Sequence, residues 1–336
     1  MKIAVLSVSN KGNKLAKSIE SKLKDDPTVT DSRHFHKNIK NIIEDAFTNY
    51  DAIIAIMATG IVVRSIVPYV QSKTTDPAVL TIDDNGKFVI SLLSGHLGGA
   101  NRLTEKIAEM IKATPVITTS TDVNKRLGID TLAKDLYLSV INPEAILPVN
   151  KAILEAEEII FYINEDSDFS FLQDYLKRNT LEINVSIRFS KNVPVDEIHV
   201  KANNGYLKLR KEIITLGIGC RKGKSKEDIE NAISKAVDEL NLTVNRIDRL
   251  ASADIKKSEK GLLEFSESQN IPITFVETGD IKDFNFDNIS TSEFVKSKFG
   301  IKGVCEPAAL IAAGEKSKLI YKKTAFNGVT VAIAVK

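Results

Sequence analysis

Apolar residues in this chain fall into short unbroken runs that alternate with stripes spaced three or four positions apart. The first run, Ile3-Ala4-Val5-Leu6, reads as a buried strand. After the polar turn Ser9-Asn10-Lys11-Gly12, Leu15, Ile19 and Leu23 line one face of a helix. Ile39, Ile42, Ile43 and Ala46 predict a second helix, which feeds the apolar strand Ala52 to Met57. A third helix opens at Ala58-Thr59-Gly60. Two β-rich runs, Ala78 to Ile82 and Phe88 to Leu93, flank Asp83-Asp84-Asn85-Gly86, where Asn-Gly supplies the positive φ angles of a hairpin turn. The second run leads into Ser94-Gly95-His96-Leu97-Gly98-Gly99-Ala100-Asn101. Leu103, Ile107, Met110 and Ile111 then repeat at helical spacing, followed by a strand at Pro115 to Thr119.

Between about residues 140 and 210 the pattern is weaker, offering a strand at Ile159 to Ile163, a helix around Phe171 to Leu176 and a hairpin turn at Asn203-Asn204-Gly205. A new unit starts with the strand Ile213 to Cys220 and the basic loop Arg221-Lys222-Gly223-Lys224. Ser225 and Asp228 fit a capping box, and Ile229, Ile233, Ala236, Val237 and Leu240 form the helix stripe behind it. A helix around Gly261 to Glu267, a strand at Ile271 to Val276, a helix introduced by Ser290 and Glu293, and an Ala-rich helix after Glu306-Pro307 continue the alternation. Asn327-Gly328 joins two closing strands. The fold class is therefore α/β and multi-domain. An N-terminal α/β domain with a mixed sheet is expected over 1–140, a small middle α/β domain or linker region over 141–211, and a C-terminal α/β domain with a mixed sheet over 212–336.

Composition narrows the function classes. The 336 residues exceed the size at which one core stops growing, and 43% of them are hydrophobic. Lys plus Arg total 46 against 44 Asp plus Glu, a net charge of +2, so neither nucleic acid nor a membrane surface is an expected partner. Any anion preference is local. Cys220 and Cys305 stand far apart without metal-ligand spacing, and His34, His36 and His199 form no paired site, so no metal site is expected. The chain lacks an apolar run of membrane-spanning length, and Met1 to Val8 lacks a signal-peptide pattern, which predicts a cytoplasmic protein.

Three strand-to-helix turns carry candidate chemistry, because ligands of open α/β sheets bind beyond the carboxyl ends of strands. In Ser94 to Asn101, three glycines allow close backbone approach, and the following helix aims N–H groups at an anion or a developing oxyanion. The same glycines would equally permit tight strand–helix packing, with His96 only capping a helix. Gly-x-Ser-x-Gly is absent around Ser94, which disfavours serine-hydrolase chemistry. Thr59 and Gly60 open the second turn, with Arg64 one turn later as a carboxylate clamp. Gly219, Cys220, Arg221 and Lys222 form the third, where cations before a helix N-terminus suit an intervening anion or a solvated loop. Neither Gly-x-x-x-x-Gly-Lys-Ser/Thr nor Gly-x-Gly-x-x-Gly occurs, so standard nucleotide binding lacks support. Glu306, beside Cys305 and Pro307 at a helix start, keeps its charge and suits a base.

Taken together, Met57 to Arg64, Asp76 to Val79, Ser91 to Asn101 and Pro115 to Asp122 resemble the cobalt-precorrin-5A hydrolase family of anaerobic cobalamin biosynthesis. Leu216 to Arg221, Lys256 to Leu263 and Val304 to Leu310 resemble the C-terminal domain of the same family. The resemblance implies hydrolytic opening of a δ-lactone on a cobalt corrinoid, loss of a two-carbon unit as acetaldehyde, and formation of cobalt-precorrin-5B. It implies no resident cofactor, since cobalt arrives with the substrate, and a small-molecule corrinoid as partner. Homo-oligomers and transient contacts with neighbouring pathway enzymes stay open. A carboxylate-fringed macrocycle calls for a wide cleft, expected between the N- and C-terminal domains, with Arg64, Arg102, Arg221 and Lys222 as clamps. Residue chemistry makes His96 the base that activates water and Glu306 a second proton-transfer group. N–H groups of Gly98 and Gly99 are expected to hold the oxyanion, and Thr59, Gly60, Ser94, Gly95, Asn101, Gly219 and Cys220 complete the expected binding surface. Two readings compete: a non-catalytic corrinoid-binding protein, and an α/β enzyme acting on a phosphorylated metabolite through the Arg221 loop.

Overall fold

The computed structural model describes residues 1–120, 126–179, 184–284, 297, 300–301 and 303–336. Two compact units emerge, one built from 1–26, 31–169 and 176–211, the other from 27–30, 170–175 and 212–336. The first holds two sheets and the second holds one.

The first sheet has the order β2-β1-β3-β4-β5-β6. Its strands are β1 (Lys2–Ser7), β2 (Asp31–His36), β3 (Ala52–Ile56), β4 (Ala78–Ile82), β5 (Phe88–Leu93) and β6 (Thr114–Val116). Helices α1 (Asn10–Asp25), α2 (Ile39–Asn49), α3 (Thr59–Ile66) and α4 (Ala100–Ile111) connect them. Every residue of β3 and β4 is buried, which suits the unbroken apolar run of β3 and the run of β4 that only Thr81 interrupts. Ala46, Phe47, Val62 and Ile66 of α2 and α3 pack on the face carrying Ala4, Leu6, Ile53 and Ala55. Strand β2, Asp-Ser-Arg-His-Phe-His, is nearly all polar and carries no strand signal of its own. It is an edge strand held by parallel pairing with β1.

One register detail decides the geometry of this sheet. Strands β1, β3 and β4 run parallel, but β5 runs antiparallel to β4. Leu93, at the end of β5, therefore pairs with Val79, which is level with Ile53. Ile56, at the end of β3, is level with Ile82 and Val89. The chain leaves β5 at the sheet edge opposite to the one where it leaves β3. The β4–β5 turn also differs from the expected one: Gly86 alone has positive φ, at 66°, and Asp83 carboxylate oxygens accept N–H bonds from Asn85, Lys87 and Phe88. At Asn327-Gly328 both residues are left-handed, at 46° and 84°, as a two-residue hairpin requires. The strand expected at Pro115 to Thr119 shortens to β6.

Within the same unit, the second sheet has the order β7-β11-β10-β8-β9, from strands Leu138–Val140, Ile159–Ile163, Val185–Phe189, Glu197–Ala202 and Gly205–Lys211, numbered β7 to β11 in chain order. Helices α5 (Ile129–Asp135) and α6 (Ile146–Leu154) precede most of it, and α7 (Ser170–Arg178) links β8 to β9. Ile198, Val200, Leu207 and Leu209 are fully buried on the face that α6 covers.

The second unit contains β14-β13-β12-β16-β15, from β12 (Ile214–Cys220), β13 (Arg249–Ala253), β14 (Ile273–Val276), β15 (Lys318–Phe326) and β16 (Val329–Val335). Its helices are α8 (Lys226–Asp238), α9 (Lys260–Gln269), α10 (Thr278–Asp283) and α11 (Cys305–Ala313). The expected cap is present, with Ser225 Oγ accepting from the Asp228 N–H at 3.2 Å. A Cβ on Gly217 would lie 1.9 Å from the Cys305 carbonyl oxygen, so only glycine lets α11 rest on β12 this closely. The helix expected after Ser290 and Glu293 lies outside the described residues. Among those residues, no helix is long and apolar enough to cross a membrane.

Candidate functional site

The loop between β5 and α4 is shaped by backbone hydrogen bonds to itself. Ser94 sits in the left-handed region at φ 57°, and its carbonyl accepts the Ala100 N–H at 3.1 Å. The Gly95 carbonyl accepts the Asn101 N–H at 3.0 Å, and the His96 carbonyl accepts the Gly99 N–H at 2.8 Å. The Ala100 and Asn101 amides at the start of α4 are thus taken by their own loop and are not offered to a ligand. Gly99 cannot serve as an oxyanion donor in this arrangement. The Gly98 N–H makes no hydrogen bond to another described residue. Gly98 also has to be glycine, because a Cβ there would fall 2.3 Å from Ser94 Cβ and 2.6 Å from its carbonyl oxygen.

Asn101 and Gly95 fasten the loop. Asn101 Oδ1 accepts from Ser91 Oγ at 2.7 Å and its Nδ2 donates to Thr119 Oγ1 at 2.9 Å, joining β5 to the segment after β6. Gly95 lies against this side chain, and a Cβ on Gly95 would fall 2.8 Å from Asn101 Oδ1. Asn101 is buried, so its amide acts inside the scaffold. Ser94 is also buried, and its Oγ has no hydrogen-bond partner among the described residues. Arg102 projects outward from the first turn of α4, with its guanidinium 3.6 Å from Asp135.

His96 is oriented from outside its own loop. Its Nδ1 lies 3.0 Å from Oδ1 of Asp130, in the first turn of α5, and the two side chains are 9% and 6% exposed. Asn150, from α6, donates to the same Asp130 oxygen at 3.0 Å and accepts the Ile129 N–H at 2.8 Å. Burial pushes the Asp130 carboxyl up, but the hydrogen bonds from His96 and Asn150 and the attraction of the imidazole outweigh it and hold it below the usual aspartate range. An ionised Asp130 fixes the tautomer with the proton on Nδ1, leaving Nε2 as the basic nitrogen. Such a pairing is how a general base is held ready for proton transfer.

Within the first unit, the remaining candidates are not all brought to this place. Thr59, Gly60 and Arg64 stand at the opposite edge of the first sheet, where Arg64 folds back over Gly60. In the second unit, Gly219 packs on Thr330 Oγ1 and Cys220 is raised in pKa, chiefly by burial. Arg221 and Lys222 are exposed, but the Gly223 N–H is taken by Glu259 at 3.0 Å, and Lys224 pairs with Asp228 at 3.1 Å. A carboxylate thus already occupies the backbone donor that a phosphate would use. Glu306 is 1% exposed and its Oε1 accepts the Lys323 N–H at 2.9 Å, tying α11 to β15 inside the core. That placement makes Glu306 a tether between the two elements.

Asp130 and Asn150 were not legible as site residues. Each is an isolated polar residue in a weakly patterned stretch, and only the packing of α5 and α6 delivers them to His96. The start of α5 at Gly128-Ile129-Asp130 was the one local hint.

Similarity to known proteins matches this layout. Residues 41–122 match the family described as Cobalamin synthesis G N-terminal, and residues 214–334 match Cobalamin synthesis G C-terminus. The probable cobalt-precorrin-5A hydrolase of Methanocaldococcus jannaschii is 33% identical over 99% of both chains. The cobalt-precorrin-5A hydrolase of Priestia megaterium is 31% identical over 90% of this chain and 83% of its own length. The chain belongs to the cobalt-precorrin-5A hydrolase family. A solved structure of a putative cobalamin biosynthesis protein G homolog from Sulfolobus solfataricus, 28% identical, superposes with a TM-score of 0.57 over 99% of this chain and 97% of that one. In this member of the hydrolase family, His96 lies inside the N-terminal match, whereas Asp130 and Asn150 fall between the two matched segments. Among the described residues, no group of three or more His, Cys, Asp or Glu is arranged to hold a metal ion.

Proposed function

We propose that this protein hydrolyses the δ-lactone of cobalt-precorrin-5A and releases acetaldehyde, giving cobalt-precorrin-5B, with His96 as the general base. Family membership supports the reaction, and the observation that carries the residue assignment is the 3.0 Å bond between His96 Nδ1 and the buried Asp130 carboxylate. His96 Nε2 takes a proton from water as the hydroxyl oxygen adds to the lactone carbonyl. The carbonyl oxygen becomes an oxyanion, supported by the Gly98 N–H, which no other described residue occupies. Collapse breaks the ring C–O bond, and the imidazolium returns its proton to the departing alkoxide. The opened arm then gives its hydroxyl proton to the regenerated His96 Nε2, which passes it to solvent, as a C=O bond forms and the C–C bond breaks with its electron pair passing into the conjugated macrocycle.

Asp130 stabilises the imidazolium that forms in each half of this cycle, and Asn150 holds Asp130 in register. Arg102 stands next to the loop and is able to pair with a substrate carboxylate. Arg221 and Lys222 contribute exposed cations in the second unit. The reaction uses no resident cofactor, since cobalt enters and leaves with the corrinoid, and it takes place in the cytoplasm.

Anaerobic incubation of the purified chain with cobalt-precorrin-5A, read by acetaldehyde release and product mass, is the decisive test. Failure of the wild type to form either product overturns the reaction. Turnover by His96→Ala at the wild-type rate leaves the reaction but removes the base assignment.

A further inference from the structure

The second sheet of the first unit has one face under α6 and another that bears polar side chains. On β10 the polar positions are Glu197, His199 and Lys201, and across the hairpin they pair directly with Arg210, Lys208 and Tyr206. His199 also pairs with Tyr162 of β8. The face holds a connected chain: Arg210 donates to Glu197 at 2.7 Å, Glu197 Oε2 lies 2.8 Å from His199 Nε2, and His199 Nδ1 lies 2.8 Å from the Tyr206 hydroxyl. Glu197 and His199 are both buried, although a strand in this position needs only β-branched or small residues.

Beside this chain is an open depression of about 350 Å³, whose lining includes Tyr162, Val193, Lys201, Tyr206 and Lys208 and contains no carboxylate. The nearby acid, Glu197, is spent on Arg210 and His199; burial pushes its carboxyl up, and those two partners more than offset it. Neither Lys201 nor Lys208 has an ion-pair or hydrogen-bond partner from its ammonium group to another described residue. Two cations left without counter-ions around an aromatic floor are matched by an anion that also carries carbon. Bare phosphate fits less well, because the depression has neither a guanidinium fork nor a helix N-terminus in its lining.

We propose that this depression is a binding site for small polycarboxylates, with Lys201 and Lys208 pairing to carboxylates and Tyr162 and Val193 contacting the carbon chain. It is separate from the His96 site, because α6, which carries Asn150, lies on the other face of the same sheet. It therefore stands whether or not the lactone reaction does. The side chain of Tyr206 is kept as an O–H by burial and by the neighbouring Tyr162 and Glu197, which raise its pKa, so it adds no negative charge at neutral pH.

Isothermal titration of the full chain with tricarballylate tests the site. Saturable binding is expected, weakened by about tenfold for each lysine removed and lost from detection in Lys201→Glu/Lys208→Glu. If charge reversal unfolds the chain, Lys201→Gln/Lys208→Gln carries the same comparison. Absence of saturable binding by the wild type, or equal affinity in the double variant, overturns the proposal. Equal affinity for inorganic phosphate also overturns it, because the pocket would then recognise charge alone.

Discussion

His96 Nδ1 and Asp130 Oδ1 meet at 3.0 Å although 34 positions separate them in the chain, and both side chains are almost fully buried. Replacing Asp130 by Asn keeps the size of the side chain but lets the amide present its N–H to the ring, which favours the wrong tautomer. Asp130→Asn is expected to lower kcat about a hundredfold or more while KM changes little. Steady-state acetaldehyde assays on a variant with an unchanged circular dichroism spectrum check this. A fall confined to KM would point to substrate binding instead.

Acid stability follows from the same pair. The folded pKa of Asp130 lies below its unfolded value of about 3.9, so folding favours the carboxylate. Its contribution is complete above about pH 5 and is lost as the pH falls through 4 and then through the lower folded value. Urea unfolding of wild type and Asp130→Asn should show a difference at pH 5 that shrinks by about pH 3. A difference that grows from pH 5 to 3 contradicts the assignment.

Gly98 and Gly279 make opposite predictions for the same substitution. A methyl on Gly98 collides with Ser94 backbone and Cβ, so Gly98→Ala must rebuild the loop and is expected to abolish turnover and cost about 1–3 kcal/mol. Gly279, in α10, has nothing within 4 Å of its Cβ position, and Gly279→Ala is expected to stabilise by about 0.4–1 kcal/mol. Thermal melts of the two variants measure both effects. Equal shifts would refute the packing account.

Cys305, the first residue of α11, is buried against the sheet, and burial, followed by the adjacent Glu306 charge, pushes its thiol up to about 12. It is expected to resist alkylation by iodoacetamide at about pH 8 in the folded protein and to react fully in urea. Peptide mass mapping distinguishes the two states. Rapid labelling of native Cys305 would show that α11 opens.

Much of the fold was written in local pattern. Strands β3, β4 and β12 are buried on both faces, so their apolar runs could hardly be anything else. The Ser225 cap and the Asn327-Gly328 turn likewise announce themselves through local hydrogen bonding and left-handed backbone. Strand β2 was silent because an edge strand with polar side chains is defined by its neighbour's backbone. Within the site, the loop around His96 was visible from its glycines, while the role given to the Gly99 amide was not, since its own His96 carbonyl takes it.

The sequence alone determined the α/β alternation, the glycine loop with its single histidine and the family likeness, because each depends on neighbours in the chain. Tertiary structure decided which groups face His96, that Arg64 lies at the opposite sheet edge, and that Glu306 is a tether. Those outcomes depend on strand direction and helix packing, which bring together residues far apart in the chain. A single reversal of direction at β5 relocates the loop, and no local pattern encodes which partner strand the chain will meet.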